Sequence, residues 1–495
     1  MRRSFKIKKQ IQKSIYIPSE LLQFLRYDTY SLLIKGDAGT GKTTLSLTIL
    51  KALNVKSNFF YISTRVSPKQ LFTYYPWLNK LIEEPRVSQP AEDVSDKAYN
   101  LSSFEDARLD EPESLFERIT NQLMDVKAPV IIIDSWDAIA SFMDKEARLN
   151  NERVLQTWCE RAGAKLILIS EDPTNKTLDF LVDGIVELQQ KFYDDLKIRQ
   201  VILSKLRGIK IQKPSYIYSL NKGIFRSYSS YSLSDFVISS NSAFRYKKAK
   251  HTLVPLLSNK SYIASGYSIL DTMWGGGFPH KGIVLIDMDS SVNLKIIMAF
   301  LSIIVSNFVN TCNPVIIQPF SVFDVSTIES YLKRLIPTDT IKQDLIKIFY
   351  PIDKVEKQGE TSDYIMSHCN LTKFQQRFEM FRNLIVKTKQ DYPDKLLLNI
   401  LGIEMPILWK SIKLDEFKMR DTISLIRSYA DLTVLLTNRS QTIEDYLTRI
   451  CDIHLKLKII NGTLFLHSLS PHTRLYAITT TASVKYPKIK LEPIV

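Results

Sequence analysis

The sequence predicts an α/β protein made of two tandem domains, each a mostly parallel sheet flanked by helices with antiparallel additions at its edge. Three observations predict it. The chain has 495 residues, too many for one ordinary hydrophobic core. Short continuous apolar runs alternate with helical patterns, which is how strands covered on both faces read. That rhythm breaks over a Ser-, Tyr- and Lys-rich stretch and then resumes.

In the first half, residues 31–36 (SLLIKG) read as a buried strand and 43–53 as a helix. Residues 58–63 (NFFYIS) are a second strand, followed by a polar stretch from about Glu83 to Glu113. Two more apolar runs, 128–135 (APVIIIDS) and 165–170 (KLILIS), flank a helix. The runs 184–190 and 199–208 lie close together and read as an antiparallel addition. Residues 1–228 form the first expected domain, 229–260 a linker and 261–495 the second. KGIVLIDMD, NPVIIQPF, KLLLNILG and LTVLLTN repeat the strand rhythm there, and the last segment reads as closing strands.

Composition excludes several classes. No charge-free apolar run is long enough for a transmembrane helix. The basic start MRRSFKIKKQIQKS lacks the apolar segment of a secretory signal. The four cysteines (Cys159, Cys312, Cys369, Cys451) form no CxxC pair, and six scattered histidines complete no metal spacing. Reduced thiols in a cytoplasmic protein are expected. The net charge of +14 is spread along the chain, which fits contact with a polyanion such as nucleic acid and fits a solvated surface equally well.

Gly36-Asp37-Ala38-Gly39-Thr40-Gly41-Lys42-Thr43 matches G-x-x-x-x-G-K-[ST] between a strand and a helix. Its glycines let backbone N–H groups close on phosphate oxygens, and the helix start adds positive potential. The motif assigns ATP with Mg²⁺ as ligand. Lys42 reaches the β- and γ-phosphates, Thr43 holds Mg²⁺ and Thr44 meets the α-phosphate. Asp134, ending the run 128–134, suits a Mg²⁺-bound water. Ser170 and Glu171, ending the next run, read as polar sensors of the γ-phosphate or as a helix-capping pair.

With these motifs the first domain resembles the KaiC-like RecA-superfamily ATPases, most of all the archaeal GvpD gas-vesicle regulators. The resemblance implies two tandem RecA-like P-loop domains and extends more weakly past Ser261. It rests on GDAGTGKTT, on VIIIDS and on YISTRVSPKQL at 61–71. Where KaiC-like proteins carry two water-activating glutamates, this chain has Arg65 and Val66. Arginine stays protonated and cannot serve as a base. Slow hydrolysis or nucleotide sensing is therefore expected unless Glu171, Asp134 or another carboxylate substitutes. Lys205-Leu206-Arg207-Gly208 is similar to a family K-x-R-G whose basic pair reaches the neighbouring subunit's γ-phosphate. That implies a homo-oligomer, such as a hexameric ring, with Lys205 and Arg207 acting in trans. A basic outer face of an edge strand explains the same residues.

In the second half, Gly266 to Asp271 and Gly275 to Pro279 resemble the opening of a KaiC-like domain. The following loop, Asp287 to Leu294, has no glycine, with Asn293 in the lysine's place and Leu294 in that of the hydroxyl. No ordinary ATP site is expected there. Three functions remain open: an ATP-binding regulator acting through a protein partner, a DNA-handling recombination or repair ATPase, and a KaiC-like autophosphorylating kinase.

Overall fold

The computed structural model describes residues 17–56, 58–81, 102–108, 128–174, 176–193, 195–232, 256–318, 345–350, 365–367, 374–403, 424–438, 447–482 and 487–495, with isolated positions 115, 117, 119, 121 and 328. The basic N-terminal run, most of the polar stretch before Glu113, Cys369 and residues 233–255 of the expected linker lie outside them. The chain divides into two compact units, 1–229 with 493–495, and 230–492. No helix among the described residues is long and apolar enough to cross a membrane.

Among the described residues the first unit holds nine strands: β1 (Tyr30–Gly36), β2 (Phe59–Ser63), β3 (Ser102–Asp106), β4 (Val130–Asp134), β5 (Lys165–Ser170), β6 (Gly184–Tyr193), β7 (Leu196–Leu206), β8 (Ser215–Ser219) and β9 (Arg226–Tyr228). Their spatial order is β3-β2-β4-β5-β1-β6-β7-β8-β9. The strands from β3 to β6 run parallel, and β7 to β9 complete the sheet antiparallel.

Alternation along each strand explains why both faces need cover. Leu32 and Ile34 of β1 face a core with Leu45 and Ile49 of helix α2 (Lys42–Ala52), shared with helix α1 (Ser19–Phe24). Leu33 faces the opposite core, with Trp136 of α4 (Trp136–Ala140), Leu155 of α5 (Lys145–Ala162) and Leu178 of α6 (Thr177–Leu181). The short helix α3 (Pro68–Tyr74) follows β2.

The stretch expected to be polar and irregular contains β3. Its sequence, SSFED, has one apolar anchor, Phe104, which packs against Phe59, Tyr61 and Phe72. An edge strand with one anchor carries little periodicity, which is why the sequence hides it.

Among the described residues the second unit holds ten strands in one sheet: β12 (Gly282–Met288), β13 (Val315–Gln318), β14 (Ile346–Tyr350), β15 (Ile365–Ser367), β16 (Leu398–Ile403), β17 (Leu432–Asn438), β18 (Ile453–Ile460), β19 (Thr463–Ser470), β20 (Tyr476–Ala482) and β21 (Pro487–Pro493). A separate pair, β10 (Tyr262–Ile263) and β11 (Phe278–Pro279), precedes them. The large sheet runs β15-β14-β13-β16-β17-β12-β18-β19-β20-β21. With β12 matched to β1, every strand of the first sheet has a counterpart at the same place, and β15 extends the edge. The fold class is the expected one: two tandem α/β units with mostly parallel sheets, helices on the faces and antiparallel strands at one edge. The G-G-G-x-P stretch serves this framework, because Gly277 has φ +130 and a Cβ there would lie 2.4 Å from Ile263 O.

One buried ion pair ties the first sheet to its helices. Lys35 of β1, 2% exposed, reaches the Asp179 carboxylate of α6 at 2.6 Å. Removing one member of a buried pair leaves the other charge poorly compensated. Asp179→Ala is therefore expected to destabilise the protein by about 3 kcal/mol, read as a lowered denaturant midpoint with an unchanged m-value.

Candidate functional site

The loop from Gly36 to Gly41 joins β1 to α2 at the C-terminal edge of the parallel strands. Gly36 has φ +152, and a Cβ there would lie 2.4 Å from Leu188 O of β6. Gly41 has φ +95, against the Leu220 side chain. No other residue type fits either place.

The loop's carbonyls are held from behind. Lys42 Nζ donates to Gly36 O at 2.6 Å and to Asp37 O at 2.9 Å. Gln190 Nε2 and Arg199 Nη1 both donate to Gly39 O at 2.8 Å, and Tyr218 OH donates to Thr40 O at 2.6 Å. The Arg199 Nε donates to Val495 O at 2.9 Å, so residues 493–495 belong to the same wall. A helix start leaves its first amides without intrahelical acceptors, so those of α2 are suited to an anion.

Asp134, at the end of β4, closes the other side. Thr43 Oγ1 donates to its Oδ2 at 2.6 Å, and Tyr61 OH donates to the same oxygen. Burial pushes the Asp134 carboxyl up, against those two hydrogen bonds and the positive charges of Lys42 and Arg65. Burial likewise pulls the Lys42 ammonium down, opposed by Glu171, Asp134 and Asp37. Thr44 Oγ1 shares a hydrogen bond with Tyr75 OH at 3.0 Å.

Above the loop lies the turn after β2. Ser63 Oγ donates to Val66 O and accepts from Val66 N, while Ser67 caps α3 in a reciprocal box with Gln70. Val66 is half-buried against the core. The turn presents Arg65, whose Nη2 lies 2.7 Å from Glu171 Oε2. Glu171 is positioned by Asp137, which accepts from its N–H and, at 3.2 Å, from Ser170 Oγ. The helix-capping alternative for Ser170 and Glu171 does not hold: α6 begins at Thr177, with Lys176 at its N-cap.

Lys205 and Arg207 lie elsewhere. β7 runs antiparallel to β6, which sets Lys205 beside Ile185, near the start of β6, whereas Leu188 lies beside Gly36. The pair is thus at the opposite edge of the sheet from the loop, not beside Lys42 of the same chain. Lys205 Nζ donates to Asp179 O at 2.9 Å and Val182 O at 2.6 Å, closing the last turn of α6. Arg207, 57% exposed in its side chain, pairs with Asp183 at 2.9 Å. A cleft of about 340 Å³ opens beside it, lined also by Tyr27, Ser31, Gln156 and Glu160.

The counterpart loop of the second unit corrects the sequence register by one residue. Both loops contain the same i→i+3 turn, Thr40 N to Asp37 O and Val292 N to Asp289 O, and the helix α7 (Leu294–Asn310) starts six residues after Met288, as α2 does after Gly36. Leu294, not Asn293, therefore stands where Lys42 does, and Lys295 stands where Thr43 does. The helix N-terminus is capped from within: Asn293 Oδ1 accepts from Lys295 N at 2.9 Å, and Asp289 Oδ1 accepts from Ser291 N at 3.1 Å.

Sequence reasoning missed Tyr61, Tyr75, Asp137, Gln190, Arg199 and Tyr218. Asp137 had a signal, a second carboxylate three residues after Asp134. The other five are contributed by distant strands and turns whose juxtaposition only the sheet order creates.

Comparison with known proteins agrees with this geometry. Residues 21–204 match the family model for the GvpD gas vesicle protein, P-loop domain. Protein GvpD2 of Halobacterium salinarum is 21% identical over 494 residues, covering 97% of this chain and 96% of that protein. Protein GvpD1 of the same organism is 22% identical over 542 residues, covering 97% of each. The chain is thus similar to GvpD proteins along nearly its whole length, and residues 21–204 are similar to their P-loop domain.

Proposed function

We propose that the first domain binds ATP with Mg²⁺ and that the protein is a nucleotide-responsive regulator, turning ATP over slowly and acting through a protein partner. The observation that carries this reading is the convergence of Lys42, Thr43 and Asp134 on one loop whose carbonyls are tied back. The loop amides and Lys42 bind the phosphates, and Thr44 lies one residue further along α2 for the α-phosphate. An incoming phosphate competes with Gly36 O and Asp37 O for the Lys42 ammonium. The Asp134 carboxyl, burdened by burial, and the adjacent Thr43 hydroxyl are hard oxygen donors that fit Mg²⁺. When bound, the ion neutralises charge on the β- and γ-phosphates.

Slow turnover follows from the residues around the γ-position. Arg65 and Val66 offer no base where KaiC-like proteins carry two glutamates. The second domain, with its helix N-terminus capped by Asn293, is assigned to pairing or partner contact rather than ATP binding. The resemblance to gas-vesicle regulators supports regulation in the cytoplasm as the setting. Arg207 is the exposed member of the K-x-R-G pair and the one available to a neighbouring copy in a homo-oligomer, whereas Lys205 serves α6.

Lys42→Ala is expected to weaken ATP binding at least about tenfold, the loss of one charge-assisted contact, in calorimetric titration with Mg²⁺. Comparable ATP affinity in the variant refutes the reading. Gly36→Ala should lose binding as well, because the added methyl forces β1 and β6 apart at the loop. Thr43→Ala and Asp134→Asn should keep binding in excess EDTA but lose the gain that Mg²⁺ gives the unaltered protein. In single-turnover hydrolysis of γ-labelled ATP followed by sizing, Arg207→Ala should lower turnover only under conditions where the protein self-associates. Unchanged turnover in the assembled state removes the trans role.

A further inference from the structure

Arg65 stands in the place of a base, yet it is not idle. Its guanidinium lies at the C-terminal edge of the parallel strands and pairs with the carboxylate of Glu171. Glu171 follows Ser170, which pairs with Lys35 beside the loop, and Arg65 follows Thr64, whose N–H donates to Asp134 O at 2.8 Å. A phosphoryl group held by Lys42 therefore enters the space that Arg65 and Glu171 share.

Resting on the ATP reading above, we infer that Arg65 is the residue by which this site distinguishes a nucleoside triphosphate from a diphosphate, exchanging Glu171 for the γ-phosphate. Three features favour the exchange. The pair is open to solvent, with side-chain exposures of 54% and 27%, and an ion pair so exposed is weak. A terminal phosphoryl carries more negative charge than one carboxylate and matches the planar guanidinium with two acceptors. The turn that carries Arg65 is fixed by Ser63 and by the capping box of Ser67 and Gln70, so the guanidinium moves by its own torsions without refolding.

The exchange also has a consequence for Glu171. Freed of Arg65, its carboxylate stays anchored at its backbone by Asp137 and faces the γ-phosphate unpaired. It lies at the head of the segment leading into α6, which Lys35 and Lys205 grip at Asp179 and Val182. A diphosphate lacks the group that takes Arg65 and leaves the pair closed.

The test is calorimetric titration of the full chain with ATPγS and with ADP, each with Mg²⁺, on the unaltered protein and on Arg65→Ala, Arg65→Lys and Glu171→Gln. Arg65→Ala should lower ATPγS affinity about tenfold and leave ADP affinity unchanged. Arg65→Lys should restore part of the preference, since charge remains without the planar fork. Glu171→Gln, which removes the competitor, should raise ATPγS affinity alone. Equal loss of both nucleotides in Arg65→Ala, or an unchanged ratio, overturns the inference while leaving ATP binding intact. If the unaltered protein binds neither nucleotide, the ATP reading itself fails and this inference falls with it.

Discussion

The site depends on the hydrogen bond from Thr43 to Asp134, which can form only if β1 and β4 are held one strand apart. Neighbouring strands in a sheet lie about 4.8 Å from each other, so β5 sets a gap of about 10 Å between the two carriers. Thr43 spans it because it sits on the first turn of α2, which starts beyond the end of β1. The register fixes the height: Asp134 pairs with Ile169 of β5, and Lys35 of β1 with Ser170. A slip of one residue would turn Asp134 toward the opposite face of the sheet. The apolar faces of β1, β4 and β5 prevent that slip, so the core specifies the chemistry at its rim.

Charges of both signs meet at that rim. Two cations, Lys42 and Arg65, meet three carboxylates, Asp37, Asp134 and Glu171. Each cation already has an acceptor, carbonyls for Lys42 and a carboxylate for Arg65. Binding an anion here is thus an exchange of partners rather than the filling of an unmet charge. Partner exchange gives differential affinity between two arrangements of the same residues, and differential affinity is what a switch requires. On the proposed reading, Arg65 offers no base chemistry and instead supplies a charge able to sense phosphate.

Much of the first sheet was legible because its central strands are continuous apolar runs, such as VIIID and KLILIS, bounded by turn-formers. The loop was legible because a glycine at φ +95 and a lysine after it have few other uses. What escaped were features defined by contact rather than pattern. β3 has one apolar residue. Arg199 looks like any strand arginine until β7 is laid beside β6 and its guanidinium reaches Gly39 O. The hairpin of β18 and β19 escaped although its signal is present. Asn461 and Gly462, both at positive φ, join two alternating strands, as a two-residue turn demands. The alternation HLKLKII places lysine and histidine inward, at odds with the expected polarity. Lys458 is 2% exposed and His467 is 1% exposed.

The second unit keeps the sheet order without the glycine loop, and its central row of side chains shows how. Lys35 of β1 corresponds to Asp287 of β12, since each precedes the last residue of its strand. Beside Lys35 lie Ser170 and Glu187; beside Asp287 lie Thr437 and Lys456. The row has the same make-up with its charges reversed, and Lys456 approaches Asp287 at 3.9 Å. Sheet order therefore tolerates either sign, provided that the row is neutral and the strands bury their apolar faces. The loop has no such tolerance. Gly41 occupies the left-handed region at φ +95, whereas Asn293 has φ −71 and caps its helix in the ordinary way. Without that glycine the loop takes the common helix-cap geometry, and the Ser291 and Lys295 amides find acceptors in Asp289 and Asn293. One backbone conformation thus distinguishes two loops carried by the same sheet order.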